Sequence, residues 1–309
     1  MNKLKIVYMG TPGFAVEPLK QLLEDNQKIL AIITAPDKPA GRGKKLSESE
    51  VKTFAKELNI KTLQPINLKS PDFISELKSL NADLFVVVAF RMLPKEVWQI
   101  PKYGTINLHA SLLPDYRGAA PINHAILNGD TETGLTTFFI NEEIDTGNII
   151  FQTKCEILES DNAGTLHDKL MNLGGELLVK TVNSIANGTA KSTEQNSLKT
   201  DKLRPAPKLT KEFCKLDFNN SAEKLHNKVR ALSPYPAAWF ELANTENTIK
   251  VFETSYEINK HNLETGKIIS DNKNEIKIAV KDGFLLIHEL QMSGKKRMKT
   301  KDFLNGYKF

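Results

Sequence analysis

Asn107 and His109 stand two residues apart at the end of an apolar run in INLHASLLPDYRGAAP (106–121). Successive side chains of a strand point to opposite faces, so the amide and the imidazole share one wall while Ile106 and Leu108 pack on the other. Asp145, in EEIDTGNII, supplies a carboxylate about one helix and one strand further on. An amide donor, a histidine and a carboxylate around one pocket suit acyl transfer, in which an oxyanion forms on a carbonyl while protons leave an amine and reach a leaving group. A His beside an Asn also fits a satisfied hydrogen-bond network, and an Asp before Thr-Gly fits a turn cap. No Gly-x-Ser-x-Gly nucleophile is present and Ser111 lacks that context, so direct attack by the substrate's own amine is the simpler chemistry. The histidines (109, 124, 167, 226, 261, 288) show no HExxH or other ligand spacing, so no catalytic metal is expected.

The elements that must hold these residues alternate between strand and helix over residues 1–185, the pattern of an α/β domain with a mostly parallel sheet. KIVYMG, ILAIIT, DLFVVVAF, TINLHA, GLTTFFIN and GNIIFQTKCEI read as strands. FAVEPLKQLLEDN, SESEVKTFAKELN (capped by Ser47 or Ser49), PINHAILNG (closed by Gly129) and TLHDKLMNLGGELLVKTVNSIANG read as helices. Asn107 and His109 thus fall at the carboxyl end of a strand, where open α/β sheets form their sites. The polar, aperiodic stretch after residue 188 reads as a linker. Beyond it a short helix, SAEKLHNKVRALS, and several short strands suggest a small β-barrel, of which the oligonucleotide-binding type is one candidate. The expected division is 1–188, a linker 189–207, and 208–309.

Charge divides at the same place. Residues 208–309 hold 18 Lys and Arg against 13 Asp and Glu, whereas residues 1–207 hold 24 of each, so the whole net charge of +5 lies in the last third. A basic appendage suits a polyanionic partner, and a solvated Lys-rich surface is the equally simple alternative. Cys155 and Cys214 form no CxxC pair, which removes disulfide and thiolate-metal frameworks. No run approaches the roughly 20 apolar residues of a membrane span, and the first residues are too briefly apolar for a signal peptide, so a cytoplasmic protein is expected. MGTPGFA lacks the Gly-x-Gly-x-x-Gly fingerprint and argues against a nicotinamide oxidoreductase. In APDKPAGRGKKL, Gly41 and Gly43 bracket Arg42 and free the backbone to present it, either to a phosphate or simply to water.

INLHASLLPDYRGAAP, followed by IDTGNII, resembles the folate-dependent formyltransferases, whose signature is Asn-x-His, Ser-Leu-Leu-Pro, Gly-x-x-Pro and a later Asp-Thr-Gly. GTPGFA, PDKPAGRGKK and RALSPYPAAW extend the likeness over nearly the whole chain, toward the branch that acts on initiator tRNA. The resemblance implies a Rossmann-like sheet domain, a C-terminal tRNA-binding barrel, and a monomer. It implies formyl transfer from 10-formyltetrahydrofolate to the α-amino group of methionine on initiator methionyl-tRNA, without metal. Asn107, His109 and Asp145 take the catalytic positions. Phe90, Arg91, Met92 and Leu93, with Ser111, Leu112, Leu113 and Pro114, take the folate positions, and Arg42, Lys44 and Lys45 reach the acceptor end of the tRNA. Two departures are visible: AFRMLP is one residue shorter than the usual Ala-Tyr-Gly-Leu-Ile-Leu-Pro and has Arg91 for a Gly, and Ala110 replaces a common Gly. Another formyltransferase or a 10-formyltetrahydrofolate hydrolase would share the pocket without needing the Arg42 loop, and a non-catalytic tRNA-binding module would not need the Asn–His–Asp set.

Overall fold

The computed structural model describes residues 3–40, 45–198, 203–242 and 245–309, with backbone alone at 40 and 45. The chain falls into two compact units, one made of residues 1–118, 134–155 and 167–205, the other of 119–133, 156–166 and 206–309.

The first unit is built on strands β1 (Lys5–Gly10), β2 (Lys28–Ile33), β5 (Thr62–Leu63), β6 (Leu84–Val88), β7 (Thr105–His109), β8 (Glu132–Phe139) and β9 (Ile149–Glu156), in the sheet order β5-β2-β1-β6-β7-β8-β9. Pairing is parallel from β5 to β7 and turns antiparallel between β7 and β8. β6 is buried at every position, as a central parallel strand must be when both faces are covered. It ends at Val88 rather than running to Phe90, because Ala89 sits at φ +47° and cannot continue a ladder. Helices α1 (Val16–Glu24), α2 (Glu50–Glu57), α3 (Pro71–Ser79), α4 (Lys95–Trp98) and most of α6 (Ala163–Ala186) belong to this unit. Ser49, not Ser47, caps α2, its Oγ accepting the Lys52 N–H at 3.1 Å. Gly10 ends β1 where a Cβ would come within 2.6 Å of the Ala15 Cβ, so MGTPGFA is a tight strand-to-helix turn in which the glycine serves packing.

After β2 comes an antiparallel pair of short strands, β3 (Lys38–Ala40) and β4 (Lys45–Ser47). Asp37 anchors its base: Gln64 Nε2 donates to Asp37 Oδ1 at 2.7 Å and to the Ala35 carbonyl at 2.8 Å, and Lys52 pairs with the other carboxylate oxygen. Those contacts, Lys52 first, hold the Asp37 carboxyl below its ordinary range. Arg42 and Lys44 lie outside the described residues, and Lys45 opens β4.

The second unit holds α5 (Pro121–Leu127) and α7 (Ala222–Leu232), with strands β10 (Ala238–Glu241), β11 (Thr248–Ile258), β12 (Ile268–Ser270), β13 (Ile276–Val280), β14 (Gly283–Met292) and β15 (Met298–Lys299). They form an antiparallel sheet in the order β10-β11-β14-β13-β12, with β15 added to β14. Leu225, Val229 and Leu232 of α7 share a core with Ile249, Val251, Leu285 and Ile287. The strands expected after residue 207 are therefore antiparallel neighbours, and β15 with helix α8 (Thr300–Gly306) completes them beyond what their spacing announced. Among the described residues no helix is long and apolar enough to cross a membrane.

Candidate active site

β7 lies between β6 and β8, so its carboxyl end opens near the middle of the seven-stranded sheet. His109 ends it and is 7% exposed, and Asn107, on the same face, is half-buried. His109 Nε2 lies 2.9 Å from the Tyr116 carbonyl, which can only accept, so Nε2 carries the proton and Nδ1 keeps a lone pair. Nδ1 faces Asp145 Oδ2 at 3.9 Å. That distance exceeds a direct hydrogen bond but suits an ion pair once Nδ1 takes a proton. The Asn107 amide has no hydrogen-bond partner among the described residues, so its N–H groups stay free for a ligand.

Asp145 is carried by the turn between β8 and β9 at φ +54°, in the left-handed region, and the Gly118 N–H donates to its Oδ2 at 2.9 Å. Gln195 Nε2 donates to the Asp145 carbonyl at 2.9 Å and to the Gly147 carbonyl at 2.8 Å. Arg117 donates to Gln195 Oε1 through Nε at 3.1 Å and Nη2 at 2.7 Å. Tyr116, whose carbonyl orients His109, sits at φ +61°, donates its N–H to the Arg204 carbonyl at 2.6 Å and lies under the Arg204 guanidinium. Sequence reasoning missed Tyr116, Arg117, Gly118, Gln195 and Arg204. The first three lie within the quoted motif, whereas Gln195 sits in a polar stretch that carries no local signal.

Of the expected folate positions, Ser111, Leu113 and Pro114 are interior and Leu112 is half-exposed. Ser111 Oγ donates to the Asp115 carbonyl at 2.6 Å, and Thr136 Oγ1 donates to the Ser111 carbonyl at 2.7 Å while accepting the Leu113 N–H at 3.1 Å. Leu113 packs on Phe138 and Ile149, so this loop is a rigid wall. Phe90 packs half-buried on the sheet core, Leu93 is buried, and Met92 is 73% exposed. Arg91 donates to the Ile66 carbonyl at 2.9 Å and to that of Pro65. Arg91, Met92 and Leu93 line an open cleft of about 740 Å³ together with Leu68, Trp98 and Glu142. Glu142 belongs to the Asp145 turn, whereas Asn107, His109 and Asp145 do not line that cleft. Among the described residues no group of three or more His, Cys, Asp or Glu side chains could hold a metal ion.

A family model described as formyl transferase matches residues 3–182, and a second, formyl transferase C-terminal domain, matches 208–308. The methionyl-tRNA formyltransferase of Bacteroides thetaiotaomicron is 52% identical over 99% of this chain and 96% of its own length. That of Flavobacterium johnsoniae is 51% identical over 100% and 98%. Among solved structures, an N-formyltransferase from Helicobacter canadensis in complex with folinic acid and dTDP-3-aminofucose shares the fold, with a TM-score of 0.66 at 21% identity over 96% of this chain and 100% of its own.

Proposed function

Because the chain belongs to the formyl transferase family, we propose that it moves the formyl group of 10-formyltetrahydrofolate onto the α-amino group of methionine carried by initiator tRNA, for translation initiation in the cytoplasm. The folate supplies the formyl group on N10, and this chain's residues do the rest. Asn107, with its free amide, donates to the formyl oxygen and stabilises the charge that oxygen gains as the amine adds. His109 Nδ1 takes the proton the amine loses, and Asp145 stabilises the imidazolium that results. The carbon–N10 bond then breaks, N10 takes up a proton, and the formyl group remains on the methionine nitrogen.

The observation that carries this reading is the shared face of an unpartnered Asn107 amide and a His109 whose free Nδ1 looks at Asp145. The segments 90–93 and 111–114 are the folate contacts in this reading. Arg42, Lys44, Lys45 and the basic region 208–309 hold the tRNA, with the division into 1–188, 189–207 and 208–309 following function. One mixture tests it: protein, 10-formyltetrahydrofolate, and initiator tRNA that is either charged or uncharged. Formylmethionine must form on the charged tRNA alone. Formate released at equal rate without charged tRNA would turn the assignment to a hydrolase, and RNA binding with neither product would leave a non-catalytic module.

A further inference from the structure

We propose that Gln195 is a positioning residue for this reaction, holding the Asp145 turn at the distance His109 requires; the inference rests on the catalytic reading above. Gln195 is 2% exposed, although it lies in a polar stretch where a glutamine would ordinarily face water. A guanidinium can only donate, so the oxygen of the Gln195 amide must face Arg117, and its nitrogen must then face the Asp145 and Gly147 carbonyls. Both N–H groups and both lone pairs of the amide are used, so the side chain has one orientation and no slack.

What it holds is a turn that places one non-glycine residue, Asp145, in the left-handed region. Asp145 adopts a left-handed conformation that non-glycine residues avoid, and the two Gln195 bonds clamp the carbonyls on either side of Thr146. The Gly118 N–H fixes the carboxylate from a second loop. Gln195 is itself placed by backbone pairing two residues earlier, where Thr193 and Ile149 exchange N–H···O bonds of 2.8 and 2.9 Å. The loop after β7, the turn after β8 and the segment after α6 therefore meet at one amide. A displacement of about 1 Å at a reacting group suffices to cost on the order of a hundredfold in rate.

Gln195→Glu tests the role, because the carboxylate keeps the volume and pairs with Arg117 but has no N–H for either carbonyl. We expect kcat to fall by about tenfold or more, with KM for charged tRNA and for folate changed by less than about threefold. Gln195→Asn, which keeps the amide and loses its reach, should behave alike and decides the matter should the Glu variant not fold. The loss should also shrink on an Asp145→Asn background, because two residues acting through one carboxylate do not multiply their effects. Wild-type kcat in a folded Gln195 variant, or a loss that multiplies fully with Asp145→Asn, overturns the positioning role. An active His109→Ala variant would instead overturn the catalytic reading, whatever Gln195 does.

Discussion

His109 owes its tautomer to a main-chain carbonyl, and the base role proposed for this buried ring rests on that bond. With the Nε2 proton committed to Tyr116, the only site open to a new proton is Nδ1, on the side of Asp145. His109→Ala removes that site and leaves Arg42, Lys44, Lys45 and the basic residues of 208–309 unchanged, so kcat should fall by roughly 10² or more while tRNA binding stays near wild type. Rapid-quench formylation together with a filter-binding measurement checks both halves, and turnover near wild type would remove His109 from the chemistry. Asp145→Asn keeps the shape and can still meet the Gly118 N–H through its amide oxygen, but it cannot stabilise an imidazolium. Its loss of kcat should approach that of His109→Ala, with the thermal midpoint little changed; a strongly lowered midpoint with normal kcat would make Asp145 a turn cap and nothing more.

At the scale of the elements, the turn between β8 and β9 is shaped for its load. A Cβ on Gly147 would lie 1.6 Å from the Phe139 carbonyl oxygen, so the strands can close over this turn only with glycine there. Gly147→Ala must push the turn outward, and both stability and kcat should drop; a variant with wild-type melting and kcat would show that the turn gives freely. Helix α7 carries a different dependence. His226 packs against Tyr256, accepts from or donates to Thr254 Oγ1 at 3.0 Å, and has its pKa lowered from 6.5 to about 4 by burial first and by Arg230 and His288 after it. Between those values the unfolded chain binds a proton that the folded chain refuses, so stability is full above pH 6.5 and declines as pH falls toward about 4. Urea midpoints measured across that window should fall less steeply in His226→Gln than in wild type, and parallel curves would show that His226 is not the group responsible.

The same elements show how much the sequence discloses. Alternation along TINLHA put Asn107 and His109 on one face, the glycine signal located the end of α5 at Gly129, and the serine signal narrowed the start of α2 to Ser47 or Ser49, of which Ser49 is the cap. These are local rules that need no partner. Gln195 and Arg204 were illegible because their roles depend on distant groups, the Asp145 carbonyl 50 residues from Gln195 and the Asp115 carboxylate 89 residues from Arg204. Between the extremes lies DLFVVVAF, where apolar character ran on to Phe90 and only the left-handed Ala89 ended the strand.

At the scale of the whole molecule the question is where the RNA is held, and the excess charge of residues 208–309 points there. Cutting the chain is a poor test. Residues 119–133 and 156–166 belong to the same compact unit as 206–309, and removing the latter would take from α5 its bond between Asn123 Nδ2 and the Ala231 carbonyl, at 2.7 Å, and the apolar partner it has in α7. The full-length chain offers a cleaner one. Several cations of this unit are already matched, Lys215 with Glu241, Lys277 with Glu257, Arg297 with Glu289 and Lys299 with Glu253. Lys208, Lys295, Lys296 and Lys301 are exposed and have no carboxylate partner among the described residues, so their field is free to act on an anion. For wild type, log kcat/KM for charged tRNA should fall linearly with log salt, by about 0.7–0.9 for each phosphate neutralised. With these four lysines changed to glutamine, the slope should flatten by about one unit for each lysine that meets a phosphate, while kcat at saturating tRNA and KM for folate hold steady. A slope unchanged by all four substitutions would mean that these lysines are solvated charge and that the RNA is gripped elsewhere.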